Sequence, residues 1–119
     1  YPFSELGLAP EVGSSYLLFQ ALGYQQAAQL LFQSKIIDGT KYYELGLAKY
    51  VGDDFLDQAY SYARDLKEQS LSSIIETKAI LKSFMLEDLA EARSMENKAM
   101  KKLFGSEDNL KAVEKFFNK

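Results

Sequence analysis

The sequence contains no cysteine and no histidine. Disulfide bonds and thiolate catalysis are therefore excluded within this chain, as are histidine-based metal sites and Ser-His-Asp triads. A cysteine-free chain is compatible with the cytosol, where disulfides are rare. The sequence predicts no metal site.

The chain also lacks an excess of basic charge and any long apolar run. Its formal net charge is −3 and its pI is about 5.0, which argues against nucleic-acid binding, since that function requires a basic face. No apolar segment approaches the roughly 20 residues of a membrane span, and the first residues do not resemble a signal peptide. Residues 117–119 are not a Ser-Lys-Leu peroxisomal address, so we expect a cytoplasmic location.

The composition is that of one folded, mainly helical domain. The 119 residues are 47% hydrophobic and 26% charged, which is typical of a globular protein and not of a disordered one. Capping residues and glycines divide the chain into predicted helices. These cover residues 14–22, 24–34, 39–45, 52–69, 71–84, 86–104 and the chain from 106 onward. Residues 35–37 are predicted to be extended, and residues 47–51 to form a short strand.

Aromatic side chains are numerous for so short a chain, with eight tyrosines and eight phenylalanines. Aromatic residues fill cores and interfaces alike. Two interpretations therefore remain open: the aromatics fill this chain's own core, or some of them contact another chain or domain.

A carboxylate near the start lies between a proline and a small-residue turn. Pro10 restricts the backbone before Glu11, and Gly13 allows a tight turn after it. Ser14 or Ser15 is predicted to N-cap the helix that follows. The pattern places Glu11 on a stiff loop just before a helix, where by itself it would be an ordinary exposed glutamate.

Several short motifs occur in a familiar order along the chain. They are Gly7-x-x-Pro10-x-x-Gly13-Ser14-Ser15, then Leu22-Gly23 with Ala27-x-x-Leu30-Leu31, Ile37-Asp38 with Glu44-Leu45-Gly46-Leu47, Glu76-Thr77-Lys78, and Ser106-Glu107-Asp108. Together they resemble the C-terminal half of an enoyl-CoA hydratase/isomerase (crotonase) superfamily protein.

The resemblance implies the C-terminal helical part of a crotonase (ClpP/crotonase-like) α/β fold, with one or two short strands at most. Residues 1–52 would form the end of the crotonase core with the catalytic-loop segment, and residues 53–119 a C-terminal helical oligomerisation region. The family's oxyanion-hole loops and most of its coenzyme A site would precede Tyr1. The family also implies a homotrimer formed through the helical region.

The residues around Glu11 favour isomerase over hydratase chemistry. Hydration of a 2-enoyl thioester in this family uses two carboxylates, one of them in a Pro-Glu pair; Pro2-Phe3 stands at that position here, and phenylalanine transfers no proton. Isomerisation of a 3-enoyl thioester needs a single carboxylate that moves a proton from C2 to C4. The segment most resembles peroxisomal-type Δ3,Δ2-enoyl-CoA isomerases, in which the glutamate matching Glu11 is the base.

The resemblance also implies how the substrate is bound. Phe3 would form an apolar wall, and Phe116 and Lys119 match residues that lie near the coenzyme A adenine and 3′-phosphate of a neighbouring subunit. No separate cofactor is expected, because coenzyme A is part of the acyl-CoA substrate. Two alternatives stay open: an enoyl-CoA hydratase or other crotonase-family acyl-CoA enzyme, and a helical oligomerisation module without its own catalysis.

Overall fold

A computed structural model describes residues 1–118 and contains six α-helices in that range. They are α1 (Ser14–Gln33), α2 (Gly39–Glu44), α3 (Phe55–Lys67), α4 (Leu71–Ser83), α5 (Leu86–Leu103) and α6 (Glu107–Phe117). No strand occurs among these 118 residues, and the predicted mainly helical class is confirmed. None of the described helices has both the length and the apolar character needed to cross a bilayer.

The strand predicted for residues 47–51 is absent from the structure, and that prediction is wrong. The N–H groups of Leu47 and Ala48 both donate to the carbonyl of Tyr42, at 2.9 and 3.2 Å. These bonds close the C-terminal end of α2, where helix carbonyls need partners. Residues 35–37 form no strand either, because a strand requires a neighbouring strand to bond with.

The first helix contains the break that the sequence predicts at Gly23. The helix axis kinks at this residue, whose φ of 71° and ψ of 170° are not helical. Glycine adopts this conformation readily and other residues do not. The two predicted helices therefore exist as two arms of α1.

Side chains of local residues cap α2 and α6, whereas the N-cap predicted for α1 is wrong. The Asp38 side chain accepts a hydrogen bond from the Lys41 N–H at 2.8 Å, and the Ser106 hydroxyl accepts one from the Asn109 N–H at 3.2 Å. Neither Ser14 nor Ser15 caps α1: the N-cap residue is Gly13, in the left-handed conformation. The Glu96 side chain of α5 caps α1 instead, because packing brings its carboxylate to the free N–H groups of Gly13 and Ser15.

The chain divides into two compact units. The first contains Tyr1–Ile37 and the segment from Glu87 onward, and its buried apolar residues are Ala9, Leu18, Ala27 and Leu31. The second contains Asp38–Leu86, and none of its helices α2, α3 and α4 has a buried residue. The candidate site lies within the first unit.

The second unit exposes many large apolar side chains. They are Tyr43, Tyr50, Val51, Phe55, Leu56, Tyr60, Tyr62, Leu66, Leu71, Ile75, Ile80, Leu81, Phe84 and Leu86. Monomeric soluble proteins rarely expose large contiguous apolar patches. Of the two interpretations of the aromatic residues, the exposure favours contact with another chain or domain.

Candidate active site

Residues 2–8 form a tight turn ahead of α1. The carbonyl of Phe3 accepts hydrogen bonds from the N–H of Leu6, at 3.1 Å, and from the N–H of Leu8, at 2.8 Å. The N–H of Gly7 donates to the carbonyl of Ser4 at 3.2 Å. Because these bonds are local, the segment folds back on itself before it reaches Glu11.

The C-terminal end of α1 holds one side of this turn. The Ser4 hydroxyl donates to the carbonyl of Leu31 at 2.9 Å, and the N–H of Glu5 donates to the Ser34 hydroxyl at 3.1 Å. Ser34 is only 8% exposed and has a φ of 50° at the end of the helix. The turn therefore uses polar groups that the end of α1 leaves open.

The start of α6 holds the other side through Asn109, which is 5% exposed. Its Nδ2 donates to the carbonyl of Leu6 at 2.7 Å, and its Oδ1 accepts from the N–H of Gly105 at 2.9 Å. Gly7 has a φ of +65°, and a Cβ there would lie 3.0 Å from the Cα of Asn109. Only glycine allows both this conformation and this close approach.

The backbone directly after Glu11 has an unusual conformation. Val12 and Gly13 have φ values of 61° and 81°, so two successive residues are left-handed. A β-branched residue such as valine adopts this region at a cost and only where its surroundings enforce it. A Cβ at Gly13 would also collide with the side chain of Leu89 on α5.

Glu96, near the middle of α5, holds the end of this loop. Its Oε2 accepts a hydrogen bond from the Gly13 N–H at 2.6 Å, and its Oε1 accepts from the Ser15 N–H at 2.9 Å and from the Ser15 hydroxyl at 2.5 Å. Glu96 is 5% exposed. A negative charge at a helix N-terminus is favourable because the helix dipole is positive there.

An apolar cavity of about 620 Å³ lies where the turn meets α5. It is lined by Tyr1, Pro2, Phe3, Leu6, Leu8, Glu11, Met100 and Phe104. Among these lining residues, Glu11 is the single carboxylate. A carboxylate at the edge of an apolar cavity is suited to removing a proton from a bound molecule and returning it.

The four residues predicted to act on substrate occupy different places. Phe3 and Glu11 line the same cavity, so the fold brings these two together. Phe116 lies on α6, is 48% exposed and packs edge to face on Phe117, with ring centroids 5.7 Å apart; it does not line that cavity. Lys119 lies outside the described residues.

A second cavity of about 730 Å³ occurs within the other unit, beside α3. Lys49 Nζ lies 3.3 Å from the ring centroid of Tyr62, and Asp54 accepts hydrogen bonds from Gln58 and Tyr50. The Gln58 bond, and after it the Tyr50 bond, lower the pKa of Asp54. The bond to Asp54 raises the pKa of Tyr50. Of the predicted site residues that the structure describes, Phe3, Glu11 and Phe116, none lines this cavity.

Sequence reasoning missed Glu96 and Asn109, which fix the loop that carries Glu11. One signal for Glu96 was available. Ala92, Ala99 and Leu103 are apolar positions at helical spacing around it, so Glu96 is a carboxylate on an otherwise apolar helix face. Asn109 lies three residues after the capping Ser106, and no sequence pattern indicated that its side chain would bind the turn.

Comparisons with known proteins were made by family, sequence and structure. No protein-family model matches the chain. A Bacillus subtilis (strain 168) protein named enoyl-CoA hydratase/isomerase YhaR is 28% identical over 119 residues, which is 98% of this chain and 46% of that protein. The chain thus spans about half the length of the curated relatives it matches.

Solved structures show the same half-length match. Pseudomonas aeruginosa OdaA is 30% identical with a TM-score of 0.86, covering 99% of this chain and 49% of that one. An Acinetobacter baumannii enoyl-CoA hydratase/isomerase is 32% identical with a TM-score of 0.80, covering 92% and 47%. These homologues and neighbours are crotonase superfamily proteins, and the chain has the fold of their C-terminal helical half.

Proposed function

We propose that this chain is the C-terminal part of an enoyl-CoA isomerase, which moves the double bond of a 3-enoyl-CoA to the 2-position in fatty-acid β-oxidation. One observation carries the proposal: Glu11 is the single carboxylate among the lining residues of an apolar cavity that also contains Phe3. The similarity to proteins named enoyl-CoA hydratase/isomerase supports the superfamily.

In the proposed reaction Glu11 acts first as base and then as acid. Its carboxylate removes a proton from C2, and the electron pair delocalises through the thioester onto the carbonyl oxygen. The same carboxyl group returns the proton to C4 as the double bond forms between C2 and C3, so the reaction consumes no other reactant. Donors that stabilise the enolate oxygen would come from the rest of the protein. No separate cofactor is required, since coenzyme A belongs to the substrate.

Enoyl-CoA hydratase is the second candidate, because the names of the relatives fit it about equally well. Hydration adds water across a 2-enoyl thioester and needs one group to activate water and another to supply a proton. A second carboxylate is not present among the described lining residues. Incubating the complete protein with a 2-enoyl-CoA and measuring the mass of the product separates the candidates, because hydration adds one water to the substrate and isomerisation leaves its mass unchanged.

The decisive variant is Glu11→Gln in the complete protein. We expect a loss of about 10²–10⁴ in kcat, the usual worth of a general acid-base group, with binding of the acyl-CoA ester retained. Glu91→Gln, an exposed glutamate of α5, is the matched control and should keep full activity. Normal turnover by Glu11→Gln would refute the assignment. We expect no useful turnover from the 119-residue chain by itself, because the donors for the enolate oxygen would come from the rest of the protein; isomerase activity of that chain would contradict this expectation.

We further propose that the protein is a homotrimer formed through residues 53–119, in which Phe116 and Lys119 lie near the coenzyme A of a neighbouring subunit. The exposed apolar side chains of α3 and α4 support an oligomer. These exposed side chains also fit the third candidate, a helical oligomerisation module without its own catalysis. The assay of wild type beside Glu11→Gln distinguishes the two, because only an enzyme has an activity that the substitution can remove.

A further inference from the structure

Glu96 is a buried acidic residue that the proposed reaction does not use. It is 5% exposed, and it belongs to neither the Lys41–Glu44 nor the Lys111–Glu107 ion pair. Burying a charge is costly unless hydrogen bonds replace the lost water. Here two backbone N–H groups and one hydroxyl donate to its two oxygens, which is the pattern of an acceptor-only carboxylate.

The groups that Glu96 holds belong to the loop that carries Glu11. Gly13 follows Glu11 by two residues, and Ser15 is the second residue of α1. The Glu11 carbonyl accepts a hydrogen bond from the Ser14 N–H at 3.0 Å, so Glu11 is itself part of the turn that the carboxylate closes.

The conformation of this turn needs such a restraint. Val12 and Gly13 are both left-handed, with φ of 61° and 81°, and a non-glycine residue keeps that conformation only where surrounding contacts over-determine it. The bonds to Glu96 start one residue after Val12. Without them, the turn would relax toward conformations that move Glu11.

The same helix face supplies part of the cavity wall. Glu96 and Met100 are four residues apart on one face of α5, and Phe104 follows four residues later, directly after the helix ends. Met100 and Phe104 line the cavity with Glu11. One face of α5 therefore holds the loop of the carboxylate and bounds the space where substrate would lie.

We propose that Glu96 is a positioning residue for Glu11: its carboxylate fixes the Gly13 and Ser15 amides and thereby places Glu11 for proton transfer. The inference rests on the proposed function, because it assigns Glu96 a role in that reaction. Glu96 does not touch the reacting atoms and acts only through the loop.

The first test is Glu96→Gln in the complete protein. Glutamine has nearly the same shape, but its amide group would set a donor against an N–H donor and remove the charge at the helix N-terminus. A misplacement of about 1 Å at a reacting group costs on the order of 10²-fold in rate. We expect that loss in kcat, with KM and the native mass near wild type and with Glu91→Gln unaffected. The thermal midpoint should fall, because a buried donor is left without an acceptor. Wild-type kcat in Glu96→Gln would overturn the proposal.

Combining the variants distinguishes positioning from a general structural role. If Glu96 acts through Glu11, then Glu96→Gln in a Glu11→Gln background should cause no further loss, because the group it positions is already gone. An equal, additive loss in that background would overturn the proposal. If Glu11→Gln has the kcat of wild type, the proposed function and this inference both fail. If Glu11→Gln loses activity but Glu96→Gln has the kcat of wild type, the inference alone fails.

Ser15→Ala keeps the question answerable if Glu96→Gln does not fold. This variant removes one of the three donors and leaves both amide bonds in place. We expect about a fivefold lower kcat, the usual net value of one hydrogen bond, with KM unchanged and no added loss in the Glu11→Gln background. Unchanged kcat in Ser15→Ala would count against the proposal.

Discussion

At residue 7 the backbone needs a positive φ and no side chain. The φ of Gly7 is +65°, and a Cβ there would meet the backbone of Asn109 at 3.0 Å. Gly105 has a similar φ of +75° but no atom within 4 Å of the position of a Cβ. Gly105 is therefore required only for its backbone conformation, whereas Gly7 is required for its conformation and for the space that a Cβ would occupy.

Gly7→Ala should therefore destabilise the protein more than Gly105→Ala. Both changes cost about 1–2 kcal/mol for a left-handed non-glycine residue, and Gly7→Ala adds roughly 1–3 kcal/mol for overpacking against the backbone of α6. Urea unfolding of the complete protein measures the difference. Equal costs would show that Asn109 and the turn move apart freely.

At the scale of elements, local signals and packing determine different helix ends. Asp38 and Ser106 cap α2 and α6 through bonds to residues three positions on, and such caps are visible in sequence. The start of α1 depends on Glu96, which is 83 residues from Gly13. A cap that comes from another helix cannot be predicted from the residues next to the helix end.

The start of α3 allows a prediction about pH. The Gln58 bond is the first cause of the lowered pKa of Asp54, so Gln58→Ala should move that pKa up toward its ordinary value. Tyr50→Phe should move it up less, and Gln69→Ala, an exposed glutamine beyond the helix, should leave it unchanged. A pH titration of the Asp54 carboxyl by NMR checks the order.

The sign of the effect on stability follows from the direction of the shift. A carboxyl group whose pKa is lower in the folded state contributes stability above its ordinary pKa, and this contribution is lost as pH falls through the lowered value. Gln58→Ala should make this contribution smaller, and its loss should be complete at a higher pH. Because Asp54 is exposed, the change in stability should be small; a pKa lower in Gln58→Ala than in wild type would contradict the account.

At the scale of the whole molecule, the apolar surface of α4 predicts association. Leu71 and Ile75 are 70% and 56% exposed and lie four residues apart on one face. We expect the isolated chain to self-associate in sedimentation velocity, and the complete protein to have a native mass three times its denatured mass.

Replacing Leu71 and Ile75 with lysine in the complete protein should weaken the proposed trimer, because charge is disfavoured in the core of an interface. Weaker binding of acyl-CoA is expected with it, since Phe116 and Lys119 would serve a neighbouring subunit. Replacing Ser72 and Ser73 with lysine adds the same charge at exposed polar positions of α4 and should leave the mass unchanged. A monomeric wild type would contradict the trimer.

The sequence by itself determined the helical class, the kink at Gly23, two N-caps and the placement of Glu11 before a helix. These features depend on neighbours within a few residues, through backbone preference and short-range hydrogen bonds. Only the tertiary structure decided that Glu96 caps α1 and that Asn109 holds Leu6, 103 residues away. It also placed Met100 and Phe104 beside Glu11. The reason is that buried polar groups take whichever partners packing brings to them, and that packing is not encoded in any local pattern.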